Sequence, residues 1–403
     1  MVDGWKTYKL GEVANIQNGY AFKSKELGSK GIPVIKIKNI IPPSIDLDAA
    51  ACYSGNIDDK LKKYIIRKND FLISMTGSTV NVMTSAVGKM GRYRHDDIAL
   101  LNQRVGKVYV TDPEKVDFGY LCLYLNRYEI HYGLALNATG SANQANISPA
   151  QIKDIDLYLP PLPEQKAIAA ILSALDDKIE LNLQTNQTLE EMAMALYKHW
   201  FVDFGPFQDG NFVDSELGMI PEGWEVKRIE DITTLQYGKA LKKTDRIPGE
   251  FPVYGSSGNV GNNINYLIEG PSLIIGRKGN VGSVFWEERK AYPIDTVYYI
   301  NGLHRNILRF LFFKFLTTDF KNTNSDSVVP GLNRNLAHNE KLIWPLPEDL
   351  NLFMETANGF YEMINSTNIE TQTLTTLRDT LLPKLISGEV RVNDIENTIS
   401  QAL

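Results

Sequence analysis

Gly4-Trp5-Lys6-Thr7-Tyr8-Lys9-Leu10 returns 219 residues later as Gly223-Trp224-Glu225-Val226-Lys227-Arg228-Ile229. At that offset Val13 meets Ile232, Ile16 meets Leu235, Gln17 meets Gln236 and Gly19 meets Gly238. Ala21 meets Ala240, Lys23 meets Lys242, and Ile32-Pro33-Val34 meets Phe251-Pro252-Val253. One shared Gly-Trp is chance, but this many coincidences at one offset are an internal duplication. A second pair follows. Leu159-Pro160-Pro161-Leu162-Pro163-Glu164 resembles Ile343-Trp344-Pro345-Leu346-Pro347-Glu348, 184 residues on. Gln187-Thr188-Leu189 matches Gln372-Thr373-Leu374 at a shift of 185. The order is therefore A–B–A′–B′, with the second A block shorter than the first.

The A blocks carry strand-like patches at Ile32 to Ile41, Asp70 to Met75, Val105 to Val110, Ser272 to Ile275 and Ala291 to Ile300. Clusters of Gly, Pro, Asn and Ser bound them, as they bound strands. Short helices are expected at Tyr120 to Asn126 and Leu308 to Thr317. Each A block thus reads as an α+β domain on a twisted sheet.

The B blocks read as long helices. The first opens after Pro161 and Pro163, with Glu164 where a carboxylate complements the helix dipole. Its apolar stripe runs Ile168, Ile171, Leu175, Ile179, Asn182, Asn186, Leu189, Ala193 and Leu196. The second opens after Pro345 and Pro347 and runs Phe353, Ala357, Phe360, Ile364, Thr367, Thr371, Leu374 and Leu381. Steps of three and four sustained this long indicate a coiled-coil seam, and two such helices in one chain most simply pair antiparallel. Asn182, Asn186, Thr367 and Thr371 fall mid-stripe, where polar residues either fix register or face solvent. Pro383 is expected to limit the second helix, with Gly388 just beyond. From Glu164 to Trp200 the first helix spans about 55 Å.

Charge follows the same plan. Over 403 residues the net charge is −6, but 164–203 carry −4 and 346–403 carry −6, leaving +4 for the rest. Lys60, Lys62, Lys63, Arg67 and Lys68 cluster there, as do Lys23, Lys25, Lys30, Lys36 and Lys38. Bases clustered on an acidic scaffold suit a phosphate-contacting surface, although any one cluster is also compatible with a solvated face. A composition of 43% hydrophobic and 22% charged residues fits a globular protein rather than a disordered or fibrous one. Two cysteines, Cys52 and Cys122, make neither a disulfide scaffold nor a cysteine zinc site. The N-terminus lacks the apolar core of a signal peptide. The nearest approach to a membrane span, Leu308 to Leu316, is short and contains Lys314, so a reducing cytoplasm is the expected compartment and no membrane partner is expected.

Catalytic motifs are missing. The five histidines are scattered, without a ligand pair at helical spacing. There is no GxxxxGK[ST] phosphate loop and no GxSxG elbow. Gly276-Arg277-Lys278-Gly279-Asn280-Val281-Gly282 reads as a turn between strands. Ile41-Pro42-Pro43-Ser44 lacks the polar and aromatic residues that flank Pro-Pro in an amino-methyltransferase. Recognition is favoured over catalysis, with no cofactor or metal of its own.

Pro161-Leu162-Pro163-Glu164-Gln165 leading into a long helix, inside an A–B–A′–B′ plan, resembles the specificity subunits of type I restriction–modification systems. The Gly-Trp openings before Leu10-Gly11-Glu12-Val13 and Ile229-Glu230-Asp231-Ile232 are also similar. So are Asn146-Ile147-Ser148-Pro149 and Leu381-Leu382-Pro383-Lys384-Leu385-Ile386-Ser387-Gly388. The second half departs at Glu348-Asp349, opposite Glu164-Gln165, and at Asn333-Arg334-Asn335-Leu336, opposite the Asn-Ile-Ser-Pro version. The resemblance implies target recognition domains at 1–160 and 205–347, a spacer helix at 161–204, and a second spacer helix with a C-terminal tail at 348–403. It implies an α+β fold of two pseudo-symmetric domains joined by a pair of long antiparallel coiled-coil helices. Its implied partners are double-stranded DNA, two methyltransferase subunits and restriction subunits. S-adenosylmethionine, ATP and magnesium would belong to those partners, and the chain itself would be non-catalytic. Each domain would read half of a split, asymmetric target, the helices setting the spacer. The rival readings are a scaffold or inhibitor that binds methyltransferase subunits without directing modification, and a structural dimeriser.

Polar and basic loops at corresponding points of the repeats are the candidate DNA contacts, because Asn, Gln and Arg suit base edges. In the first domain these are Lys36, Lys38, Asn39, Thr76, Ser78, Thr79, Asn102, Gln103, Arg104, Ser141, Asn143 and Gln144. In the second they are Tyr254, Ser256, Ser257, Arg277, Lys278, Asn280, Asn333, Arg334 and Asn335. The same residue types also form turns. Gly19 and Gly238 are assigned to turn geometry.

Overall fold

The strand Lys6–Lys9 pairs antiparallel with Asp156–Leu159, Lys6 opposite Leu159; the strand Glu225–Arg228 pairs in the same way with Lys341–Trp344, Glu225 opposite Trp344. The duplicated Gly-Trp segments are thus the opening strands of two domains, each closed by the strand that precedes its proline run. These relations come from a computed structural model that describes residues 4–48, 50–141, 144–320 and 331–392. The chain divides into two compact units, Met1–Leu181 with Glu370–Leu403, and Asn182–Ile369.

In the first unit one sheet runs Ala14–Asn18, Val105–Val110, Phe71–Ser74, Met90–Arg92, Ser44–Ile45 and Ile40–Ile41. A second sheet sets Ile32–Ile35 parallel to Ala99–Leu101. In the second unit the principal sheet runs Gln236–Tyr237, Val297–Asn301, Ser272–Gly276 and Val284–Glu287, the order of the first four strands of its counterpart. There Phe251–Gly255 lies parallel to Tyr292–Pro293. The duplication is therefore one of topology as well as sequence. In the first domain the principal sheet holds two further strands, Ser44–Ile45 and Ile40–Ile41, and the added elements include the helix Tyr128–Leu136.

Several expected elements shift. The patch Ile32 to Ile41 is not one strand. Buried Asn39 accepts a hydrogen bond from the Lys36 N–H at 3.0 Å and donates to the Asp46 carbonyl at 3.0 Å, turning the chain at Ile37–Asn39. A short polar side chain that bonds nearby backbone competes with the ladder. The patch Ala291 to Ile300 likewise divides into Tyr292–Pro293 and Val297–Asn301. The expected short helices are Phe118–Leu125 and Arg305–Thr317. Gly276 to Gly282 connects two strands, as its glycines suggested. Gly19 and Gly238 do not serve left-handed turns. A Cβ would lie 2.1 Å from the Asn102 carbonyl oxygen at the first and 2.0 Å from that of Ile294 at the second, so both are sites of close backbone approach.

The long helices are Leu162–Phe201 and Pro347–Ser387. Ile168, Leu189 and Ala193 of the first stripe, and Phe353, Ala357 and Ile364 of the second, are buried. Ile171, Leu175, Ile179, Leu196, Phe360, Leu374 and Leu381 are half-buried. In the first unit Arg378 pairs with Asp176 at 3.0 Å, Lys178 with Glu370 at 3.1 Å, and Arg391 with Glu164 through both carboxylate oxygens. One number rises as the other falls, so the helices run antiparallel. In the second unit Asn186 donates to the Asn368 amide oxygen at 2.9 Å and accepts from the Thr367 hydroxyl. Asn182 and Asn186 are buried, which places both inside the seam rather than on its rim. Polar pairs at such positions specify register at some cost in stability.

Pro383 does not limit the second helix, which continues to Ser387. Pro383 itself is exposed, while Leu385 and Ile386 are buried in the first unit's core with Ile168 and Leu172. Burying two such side chains stabilises by about 3–6 kcal/mol, enough to offset the ~3 kcal/mol of a helical proline. Gly388, at φ +76°, ends the helix.

The departures in the second half have local causes. Buried Gln165 accepts from the Asp117 N–H at 2.9 Å and donates to the carbonyls of Lys115 and Pro160. Its counterpart Asp349 accepts from the Trp224 indole at 2.8 Å. Ser148 caps the helix Pro149–Lys153, accepting from the Gln151 N–H; Asn333 caps Arg334–Asn339, accepting from the N–H groups of Asn335 and Leu336. A different residue does the same work.

Candidate nucleic-acid interface

Four of the candidate contacts in the first domain lie in its framework. Asn39 is engaged as above. Buried Thr76 donates to the Asn146 side-chain oxygen at 2.7 Å across a strand pair. Buried Asn102 accepts from the Arg104 N–H at 3.4 Å. The Ser78 hydroxyl lies 2.8 Å from that of Ser85 and donates to the Val82 carbonyl at 2.9 Å. Thr79 is half-buried. Lys38, Gln103, Arg104 and Gln144 are exposed, and Lys36 is half-buried. Ser141 ends the strand Thr139–Ser141, whose partner is Gln144–Asn146. Asn143 lies outside the described residues.

Sequence reasoning missed the aromatic residues between these bases. The Tyr20 and Tyr64 rings lie 5.5 Å apart, with the Lys60 ammonium 5.2 Å from the first and the Lys63 ammonium 5.0 Å from the second. Phe22 extends the group to Tyr53. The lysine cluster was visible in the sequence. The rings were not, because residues some forty positions apart meet only when the sheet forms.

In the second domain Tyr254 lies on a strand and donates to Glu287 at 3.0 Å. Burial, and then the Glu287 charge, push its phenol well above the usual range. Ser256 and Ser283 tie the turn after Gly276 to the strand end: the Ser283 hydroxyl donates to the Ser256 carbonyl at 2.7 Å. Ser257, Lys278, Asn280, Asn333 and Asn335 are exposed, Asn333 with its side chain committed to the helix cap. Arg277 and Arg334, 57 residues apart in sequence, meet at Tyr237: their guanidinium carbons lie 4.9 and 5.0 Å from that ring's centroid. Tyr298 stands opposite Tyr237 in the ladder, with ring centroids 5.0 Å apart. Burial, followed by its hydrogen bond with Tyr237, pushes the Tyr298 phenol up to about 12.

Among the described residues no group of three His, Cys, Asp or Glu side chains could hold a metal ion, and no helix is long and apolar enough to cross a membrane.

Comparison with known proteins agrees with this architecture. The model of the type I restriction modification DNA specificity domain matches residues 2–191 and 221–349. The type I restriction enzyme MjaIX specificity subunit of Methanocaldococcus jannaschii is 27% identical over 286 residues, covering 64% of this chain and 66% of that relative. The HindI specificity subunit of Haemophilus influenzae is 24% identical over 96% of this chain and 99% of its own length. Among solved structures, the type I restriction–modification system S subunit from M. genitalium shares the fold with a TM-score of 0.56 at 18% identity, covering 94% of this chain and 96% of that one. Two matched regions, one at each copy of the repeat and together spanning most of the sequence, place this chain in the type I restriction–modification DNA specificity family.

Proposed function

We propose that this chain is the specificity subunit of a type I restriction–modification complex. It is non-catalytic and reads double-stranded DNA, each α+β domain taking one half of a bipartite, asymmetric target. The carrying observation is that two domains of one topology, closed by equivalent ladders, bear different side chains at equivalent positions. One topology gives both domains the same way of meeting a duplex, and different side chains give each a different sequence. The exposed contacts Lys38, Gln103, Arg104, Gln144, Ser257, Lys278, Asn280 and Asn335 are the stronger members of the proposed surface. Asn39, Thr76, Asn102 and Asn333 hold the loops that carry them.

The paired helices set the spacing of the half-sites and dock two methyltransferase subunits, which supply S-adenosylmethionine chemistry. Restriction subunits, with ATP and magnesium, complete the complex in the cytoplasm. Supporting this role are the acidic helices, unsuited to DNA themselves, and their polar register pairs. Half-sites on one face of B-DNA repeat about every 34–36 Å, so the spacing must be held rigidly.

The test is methylation mapping of host DNA with and without this gene. Directed methylation at a split site is expected. Deleting residues within 175–190 changes the spacer and leaves the half-site sequences intact. Partner binding without directed methylation points instead to the scaffold reading.

A further inference from the structure

Arg277 and Arg334 bring two positive charges to one exposed ring, Tyr237. No carboxylate among the described residues forms an ion pair with either. A guanidinium carries five N–H donors. Arg277 directs one nitrogen, Nη1, to the Asp295 carbonyl at 3.2 Å, and the buried Nε of Arg334 has no acceptor among the described residues. Two guanidiniums against one ring, without a carboxylate partner among the described residues, form a poor structural brace and a good receptor for an acceptor-rich ligand.

The framework fixes both. The Arg277 N–H donates to the Thr296 carbonyl, and its own carbonyl accepts from Leu332 N–H at 2.8 Å. The Tyr298 hydroxyl donates to the Leu332 carbonyl at 2.9 Å. The helix carrying Arg334 is capped by Asn333 and tied to the residue that precedes the strand Gln236–Tyr237, because Leu235 N–H donates to the His338 imidazole at 3.0 Å.

The repeat shows what this cluster replaces. The bridge Lys278–Gly331 corresponds to the pair Thr76–Asn146, so Arg277 stands where the first domain has Met75, and Arg334 where it has Pro149. Tyr237 and Tyr298 stand where the first has Asn18 and Gly106. Phosphate contacts carry no sequence information and serve both halves of a duplicated reader equally. A cationic cluster present in only one copy is instead suited to a base specific to that half-site. Arginine forks match O6 and N7 of guanine in the major groove.

We infer that Arg277 and Arg334, packed against Tyr237, form a guanine-reading clamp that distinguishes the second domain's half-site from the first. This rests on the DNA-specificity reading above and names the base class and the residues that read it. The experiment uses the full chain assembled with its methyltransferase subunits and a library of randomised targets. With wild type, one half-site contains a guanine position. Arg277→Ala and Arg334→Ala each relax the preference there about tenfold or more, leaving the other half-site and the spacer unchanged. Tyr237→Phe keeps the preference, and Tyr237→Ala loses it. Unchanged profiles overturn the clamp while the DNA reading stands. Uniform loss over all sequences with a shallower salt dependence also overturns it, identifying phosphate contacts instead. Wild type that directs no sequence-specific methylation overturns the broader reading and the clamp together. Melting of each variant at the wild-type temperature excludes unfolding as the cause of relaxation.

Discussion

The first domain places Met75, Pro149, Asn18 and Gly106 where the second places Arg277, Arg334, Tyr237 and Tyr298, yet both close with the same ladder in the same register. The difference separates what a reader must keep from what it is free to vary. Strand order, glycine packing and helix caps recur because backbone geometry demands them. Side chains at these four positions diverge even though Met75 is buried in the first core and Tyr298 in the second, so each core is packed around its own choice.

The strongest way to break this comparison is at the shared glycines. Gly19→Val and Gly238→Val force a side chain onto a carbonyl in each domain. Each is expected to destabilise its own unit by on the order of 4 kcal/mol. Denaturant unfolding followed by probes in each unit checks this, and a large effect at only one site would break the equivalence. Next is the seam. Asn186→Ala removes the partner of Thr367 and Asn368 and is expected to cost about 1–3 kcal/mol in the second unit, read by chemical denaturation. The caps give a finer comparison. Ser148→Ala and Asn333→Ala are each expected to cost about 1 kcal/mol, measured as a matched pair; unequal losses would show that the substituted cap has acquired another role.

The smallest effect is a pH dependence confined to the second unit. Burial, and then the Arg334 charge, hold the His338 imidazole below its ordinary value of 6.5. The neutral ring accepts from Leu235 N–H. Because its folded value is lowered, this contribution is fully present above pH 6.5 and is lost as pH falls through the folded value. The equivalent residue in the first domain is Lys153. Protection of the Leu235 amide against exchange, relative to its intrinsic rate, is expected to fall below pH 6.5, and His338→Gln is expected to abolish that step.

Much of the fold is legible in the sequence because repetition and periodicity are global signals. The Gly-Trp segments marked both opening strands, and the stripes from Ile168 and Phe353 marked the seam, including its buried asparagines. Pro383 misled because a local rule was overridden by the burial of Leu385 and Ile386. The site was less legible for a chemical reason. Asn39, Thr76 and Asn333 carry groups that suit a base edge, and the same groups suit a turn, a cross-strand bond or a cap. Tyr237 went unnoticed because its partners come from distant loops.

The ladder that joins Lys6–Lys9 to Asp156–Leu159, and Glu225–Arg228 to Lys341–Trp344, brings the entrance and exit of each reader side by side. A segment whose two ends are neighbours can be excised and replaced as a cassette without re-routing the rest of the polypeptide. Recombination between genes of this kind can therefore exchange one half of the recognised sequence in a single event, yielding a new specificity from inherited parts.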